Sequence, residues 1–135
     1  MPYIDSNVFI YAILYDAEFE PKAKKAKQIL CGIEKGELSA CTSTLTWDEV
    51  VWVVSKVLGK NEGINQGQKL LGFPNLEFIC ADENILGRAQ ALMSKYNLSP
   101  RDSIHIASAV GRKIKTIISD DKDADQVDEI KRTPL

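Results

Sequence analysis

Long apolar runs are missing from this chain. None approaches the roughly 20 residues that cross a bilayer, so the sequence offers no membrane span. The N-terminal stretch MPYIDSNVFIYA carries Asp5 and has no basic segment ahead of its apolar residues, so no secretory leader is expected. Histidine occurs once, at His105, with no cysteine nearby in sequence. That excludes the usual spacing of a zinc site and leaves no convincing Ser–His or Cys–His set. A lone helical histidine is expected to be packed or hydrogen-bonded rather than chemical. The cysteines, Cys31, Cys41 and Cys80, are odd in number, widely spaced and set among apolar residues. Buried free thiols in a reducing cytoplasm are expected, and no disulfide. Glycine-rich phosphate loops are absent, as are repeats and low-complexity segments. Basic charge is not in excess either: the net charge is −2. Any contact with nucleic acid must therefore use a local patch or metal ions.

What remains is an ordinary globular composition, 44% hydrophobic and 27% charged over 135 residues, expected to fold as one domain over 1–135. Short β-branched runs alternate with helical stretches. Strands are predicted at Pro2–Ile4, Leu38–Cys41, Leu76–Cys80 and Lys115–Ser119, with a further edge strand in the tail KRTPL. Helices are predicted for VFIYAIL, from Pro21 to Gly36, from Ser43 to Leu58, after Asp82, and from Pro100, with Ser99 as N-cap. Lys60 to Phe73 reads as a polar loop and a short helix. This alternation predicts an α/β fold with a central parallel sheet of four to five strands and helices on both faces.

Carboxylates fall at one edge of such a sheet. Asp5 and Asp121 end strands; Glu49 and Asp102 begin helices. Strand ends and helix starts share an edge in βα units, and sites form there. Each acid also has a bland reading. Asp102 could serve only the helix dipole, and Thr46 with Glu49 could form a capping box. The run Asp120 to Asp125 could be a solvated loop. A calcium loop is excluded, because Gln126 stands where the turn glycine belongs and Arg132 where the bidentate glutamate belongs. Four carboxylates at one edge must either raise their pKa values or bind cations. An oxygen-only ligand set favours Mg²⁺ or Mn²⁺. A cation so held suits phosphodiester chemistry. The lysines of the second helix, Lys22, Lys24, Lys25 and Lys27, read as a solvated face or as a phosphate-binding patch. The valine-rich third helix, with Trp47, Val50, Val51, Val53 and Val54, reads as core or as a dimer face.

Four pieces of this sequence, YIDSNVFIYA, TSTLTWDEVVWVV, LSPRDSIHIASA and TIISDDKD, resemble the PIN-domain family and, within it, the VapC-like toxin ribonucleases. They span nearly the whole chain in family order. The resemblance implies a three-layer α/β/α sandwich and a Mg²⁺- or Mn²⁺-dependent endoribonuclease, often homodimeric, with an antitoxin protein as partner. It implies that Asp5, Glu49, Asp102 and Asp121 hold the metal, with Asp123 as an outer or second-metal ligand. Asn7 and Ser119 would orient carboxylates or waters. Asp121 is preferred over Asp120 because Ser119, Asp121 and Asp123 match the usual spacing, and neighbours in an extended chain point opposite ways. Lys22, Lys24, Lys25, Arg101 or Arg112 would guide an RNA backbone. Ala124 departs from the family, which often carries an aromatic residue there. The rival reading is a catalytically silent PIN-like module that binds RNA or protein. An aspartyl-phosphate enzyme fits less well, because Asn7 stands where the second acid of Asp-x-Asp would be.

Overall fold

β1 (Tyr3–Ile4) is the centre of the sheet. It is only two residues long, and both are completely buried. A computed structural model describes residues 1–135. After β1 come α1 (Ser6–Leu14), α2 (Pro21–Glu34), β2 (Ala40–Ser43), α3 (Thr44–Leu58) and α4 (Lys60–Leu71). Then follow β3 (Leu76–Ile79), α5 (Glu83–Lys95), α6 (Pro100–Gly111), β4 (Thr116–Ile118), a 3₁₀ turn (Lys122–Gln126) and β5 (Lys131–Thr133). The five strands lie in the order β3-β2-β1-β4-β5, and every pairing is parallel.

Strand alternation sorts the core into two halves. Tyr3, Cys41 and Ile117 face one side, where they meet Leu98, Ile106 and Ala109 of the α5–α6 layer. Ile4, Ala40 and Ile118 face the other, against Val8, Phe9, Ala26, Ile33, Val50 and Val54. Period-two strands thus carry helices on both faces, and the result is a three-layer α/β/α sandwich. Ala124 is buried in the first of these cores, so a small residue suffices there.

Several expectations need correcting. β2 lies two residues later than the β-branched pattern suggested, because Ala40–Ser43 pairs in register with Leu76–Ile79. Residues 60–71 form a continuous helix, α4, which packs on α3 through Gly63 and Gly67. Gly59, at φ 96°, makes the turn between the two helices. Val50 and Val54 are core residues and cannot form a dimer face. The exposed large apolar side chains of this pair are Trp47, Trp52, Val57, Leu58, Ile64 and Leu71. All three cysteines are free thiols, but only Cys41 is buried; Cys31 and Cys80 are exposed. Burial pushes the Cys41 thiol up to about 11. No helix is long and apolar enough to cross a membrane.

Candidate active site

The strand order reverses direction between β1 and β4: the chain proceeds outward through β2 and β3 on one side, and through β5 on the other. In parallel sheets a crevice opens at such a point, outside the carboxyl ends of the strands. Asp5 leaves β1 there and Ser119 leaves β4. Asp5 is buried and caps α1, its Oδ1 accepting the Ser6 amide at 2.7 Å. Its Oδ2 accepts the Ser119 hydroxyl at 2.6 Å. Ser119 Oγ in turn accepts Asn7 Nδ2 at 3.2 Å and the Asp121 amide at 3.0 Å. One donated and two accepted bonds use the full capacity of that hydroxyl. Asn7 Oδ1 also accepts the Asp120 amide at 3.3 Å. Asn7 and Ser119 therefore stitch the two strand ends together.

Asp102, Asp121 and Asp123 converge from α6 and the turn after β4, with one carboxylate oxygen of each lying within 4.8 Å of the others. Asp102 is not the helix cap. Ser99 takes that role, its Oγ accepting the Asp102 amide at 3.2 Å. The Asp102 carboxyl is pushed up to about 6 by burial first, then by the charge of Asp121, against a lowering hydrogen bond from Ser99. Asp121 accepts the Asp123 amide at 2.9 Å and so turns the chain. Asp5, Asp102, His105, Ser119 and Asp121 line a small cavity of about 10 Å³, near the room one water needs.

Glu49 reaches this edge from α3. It belongs to no capping box: Ser43 caps the helix, and Thr46 Oγ1 pairs with Thr42 Oγ1 at 2.7 Å. Instead Glu49 Oε1 is hydrogen-bonded to His105 Nε2. His105 is the residue that sequence reasoning set aside. It is buried, its Nε2 lies 3.6 Å from Asp5 Oδ1, and its Nδ1 is 2.6 Å from the Tyr3 hydroxyl. Burial acts to lower its pKa, but the Glu49 bond and the charges of Asp5, Glu49 and Asp102 outweigh burial and raise it. Burial, with the charge of Asp5, holds the Tyr3 phenol well above its ordinary value. One signal could have found His105. It follows Asp102 by three residues, which places both on one helix face.

The structure thus divides the acids. Asp102, Asp121 and Asp123 surround one point, while Asp5 and Glu49 flank the His105 imidazole. Asp120 belongs to neither group. Its Oδ1 pairs with Lys22 at 2.8 Å and its Oδ2 accepts the Tyr11 hydroxyl at 3.1 Å. Lys22, ahead of Tyr11, holds Asp120 below the usual carboxylate range. Lys22 therefore stands beside the crevice, and Lys24 is exposed on the same helix. Lys25 is hydrogen-bonded to the Pro134 carbonyl. Arg101 is exposed at the start of α6. Arg112 is removed from the site: it lies at the other end of α6, some 15 Å away along the helix, and pairs with Glu77. A broader groove of about 850 Å³, near Arg88 and Arg112, lacks convergent acids. The carboxylates converge at the smaller crevice.

The donor set fits a hard divalent cation. The converging groups are all carboxylates, whose oxygens suit a hard cation. Zinc would call for nitrogen or sulfur ligands. The one imidazole has both ring nitrogens engaged by Tyr3 and Glu49.

A family model, the PIN domain, matches residues 3–130. The chain belongs to the PIN domain family, a nuclease family. Among solved structures it is similar to a toxin–antitoxin complex from Klebsiella pneumoniae, with 20% identity, TM-score 0.70 and coverage of 97% of this chain and 96% of that one. It is similar also to VapC20 of Mycobacterium tuberculosis, described as a sarcin-ricin loop cleaving toxin, with 12% identity, TM-score 0.74 and coverage of 93% and 94%. DNA-bound VapBC from Salmonella typhimurium gives 14% identity, TM-score 0.72 and coverage of 99% and 98%. At these identities the likeness establishes the fold. No curated protein matches the chain.

Proposed function

We propose that this chain is a Mg²⁺- or Mn²⁺-dependent endoribonuclease, and the toxin of a toxin–antitoxin pair. The observation that carries the reading is the convergence of Asp102, Asp121 and Asp123 at the β1/β4 crevice, beside buried Asp5. In this reading Asp5, Glu49, Asp102 and Asp121 hold the cation, and Asp123 is an outer or second-metal ligand. When bound, the cation would neutralise a phosphodiester, acidify the attacking water and stabilise the leaving oxygen. Ser119 and Asn7 keep the Asp5 carboxylate in one orientation. Asp120 anchors Lys22 at the crevice, where its ammonium, with Lys24 and Arg101, draws in the RNA backbone. On a chain of net charge −2, such local cations supply the attraction that the protein as a whole does not.

The VapBC complexes among its structural neighbours support an antitoxin as partner. The apolar side chains exposed on α3 and α4, Trp47, Trp52, Val57, Leu58, Ile64 and Leu71, support a homodimer. A cytoplasmic place of work accompanies an RNA substrate. The test is cleavage of a single-stranded RNA with Mn²⁺, with excess chelator, and with a DNA of the same sequence. Internal cleavage of RNA only, abolished by chelator, is expected. No cleavage of RNA under any metal condition would favour the silent binding module.

A further inference from the structure

We propose that His105 is a positioning residue of the site: its Nε2–H fixes the Glu49 carboxylate for the cation, and Tyr3 fixes the imidazole. This rests on the metal reading above.

The inference follows from where each hydrogen must sit. Tyr3 is wholly buried, and its phenol keeps its proton far above neutral pH. The phenol oxygen and Nδ1 are 2.6 Å apart, a separation that requires one hydrogen between them. In a neutral imidazole the phenol supplies that hydrogen, so Nδ1 accepts and the ring proton is on Nε2. In an imidazolium both nitrogens carry protons. Either way Nε2–H points to Glu49 Oε1, so the arrangement does not depend on which protonation state prevails. The second Glu49 oxygen makes no hydrogen bond to the protein and stays available to a cation. The same Nε2–H edge lies 3.6 Å from Asp5 Oδ1, so one donor also separates two carboxylates that would otherwise repel. Glu49 extends from α3 while the other acids come from β1, α6 and the turn after β4. It is the ligand that most needs external support, because its long side chain is only half-buried. Hydrogen-bond partners that orient ligands in this way typically set metal affinity by about 10–100-fold.

A purely structural histidine would behave differently. Its replacement by Leu, which fills a similar volume, would strand the wholly buried Tyr3 hydroxyl and lower the metal-free melting, but would leave Mn²⁺ affinity unchanged.

His105 is the only histidine, so its ring resonances are unambiguous. The first measurement is ¹⁵N–¹H NMR of the chelator-treated wild type. A slowly exchanging, far-downfield Nε2–H is expected; a ring protonated on Nδ1 alone overturns the proposal. The second is Mn²⁺ titration calorimetry of wild type, His105→Leu, His105→Gln and Tyr3→Phe, with metal-free melting of each. His105→Leu should lose Mn²⁺ affinity by about 10–100-fold, and its metal-free melting should fall as well, because the buried Tyr3 hydroxyl loses its partner. His105→Gln, whose amide nitrogen reaches about the Nε2 position, should recover most of that loss. Tyr3→Phe should fall between them. If wild type and His105→Leu bind Mn²⁺ equally, the positioning role is overturned and the metal reading stands. If wild type binds no Mn²⁺, the metal reading fails and takes the role with it, whatever the NMR shows. Should His105→Leu not fold, His105→Gln and Tyr3→Phe decide: affinities equal to wild type in His105→Gln and reduced in Tyr3→Phe support the role, and an equal affinity in Tyr3→Phe together with loss in His105→Gln overturns it.

Discussion

Ser119 Oγ donates to Asp5 Oδ2 at 2.6 Å across the β1/β4 junction. No other side-chain hydrogen bond ties the carboxylate of β1 to the strand beside it as closely. The hydroxyl is buried and saturated, so Ser119→Ala removes a donor from a charged acceptor and strands the Asp121 amide, while Asn7 Nδ2 keeps Asp5 Oδ2 at 3.5 Å. A loss of about 1.5–3 kcal/mol is expected from the charged bond alone. RNA cleavage should fall by at least about tenfold, the rate equivalent of roughly 1.4 kcal/mol, because Asp5 is no longer held. Denaturant melts and initial rates of Ser119→Ala check both.

The tandem acids should separate cleanly. Asp120 is engaged by Lys22 and Tyr11, and Asp121 faces Asp102. Asp120→Asn should keep cleavage within a few-fold of wild type and cost no more than about 1 kcal/mol, since its ion pair is partly exposed. Asp121→Asn should abolish cleavage in a folded protein. The opposite pattern in a matched assay would mean that Asp120 turns into the crevice when substrate and cation are present.

Above about pH 4 the metal-free protein should become less stable as pH rises; below that, Asp120 and Asp125, held low by Lys22 and Arg132, act in the opposite sense. Asp102 has a folded pKa of about 6, above its ordinary 3.8, so the folded state binds the extra proton between these values. Stability therefore falls as pH rises from about 4 to about 6. His105 acts in the same direction: its folded pKa lies above 6.5, so its contribution is complete below 6.5 and is lost as pH rises through the folded value. Thermal midpoints in chelator at several pH values test this. Saturating Mn²⁺ should flatten or reverse the trend, because cation binding replaces those protons.

How far the sequence reveals this fold depends on whether a signal is local. The shared edge of Asp5, Glu49, Asp102 and Asp121 is legible because strand ends and helix starts are read from neighbouring residues, and the sheet brings such places together. Ser99 and Asp82 were legible as caps for the same reason, and each accepts the amide expected of it. The contacts of His105 are not legible in this way. Its meaning is set by Tyr3 and Glu49, which are 102 and 56 residues away in sequence. The helix at 60–71 was hidden by Gly63 and Gly67, which depress helix propensity. Tertiary packing against α3 overrides that propensity, and the glycines are what allow it. β2 was displaced because a chain of small residues, Ala40 to Ser43, shows little β-branched pattern. Its strand state comes from partners on both sides.

Those glycines carry their own expectation. A Cβ at Gly63 would sit 1.9 Å from Ser55 Oγ and 3.2 Å from the Ser55 backbone; one at Gly67 would sit 2.7 Å from Val51 Cγ2. The gain in helix propensity from Ala, about 1 kcal/mol, cannot absorb such overlaps. Gly63→Ala and Gly67→Ala should each destabilise by about 1–3 kcal/mol by forcing the two helices apart. Chemical denaturation of both variants checks this. Stabilisation of either would show that the helices can slide without cost.

The most direct test is a Mn²⁺-dependent cleavage assay on one single-stranded RNA, run with wild type, Asp5→Asn, Glu49→Gln, Asp102→Asn and Asp121→Asn, each verified as folded by circular dichroism. Each substitution removes one charge and nearly keeps shape, and Asn would serve well enough at a helix start if Asp102 were only stabilising the helix. The expected result is cleavage by wild type and none by any of the folded variants, with the metal-free melting of Asp102→Asn unchanged or raised. Full cleavage by folded Asp5→Asn and Asp102→Asn would contradict the assignment of RNA cleavage to these carboxylates.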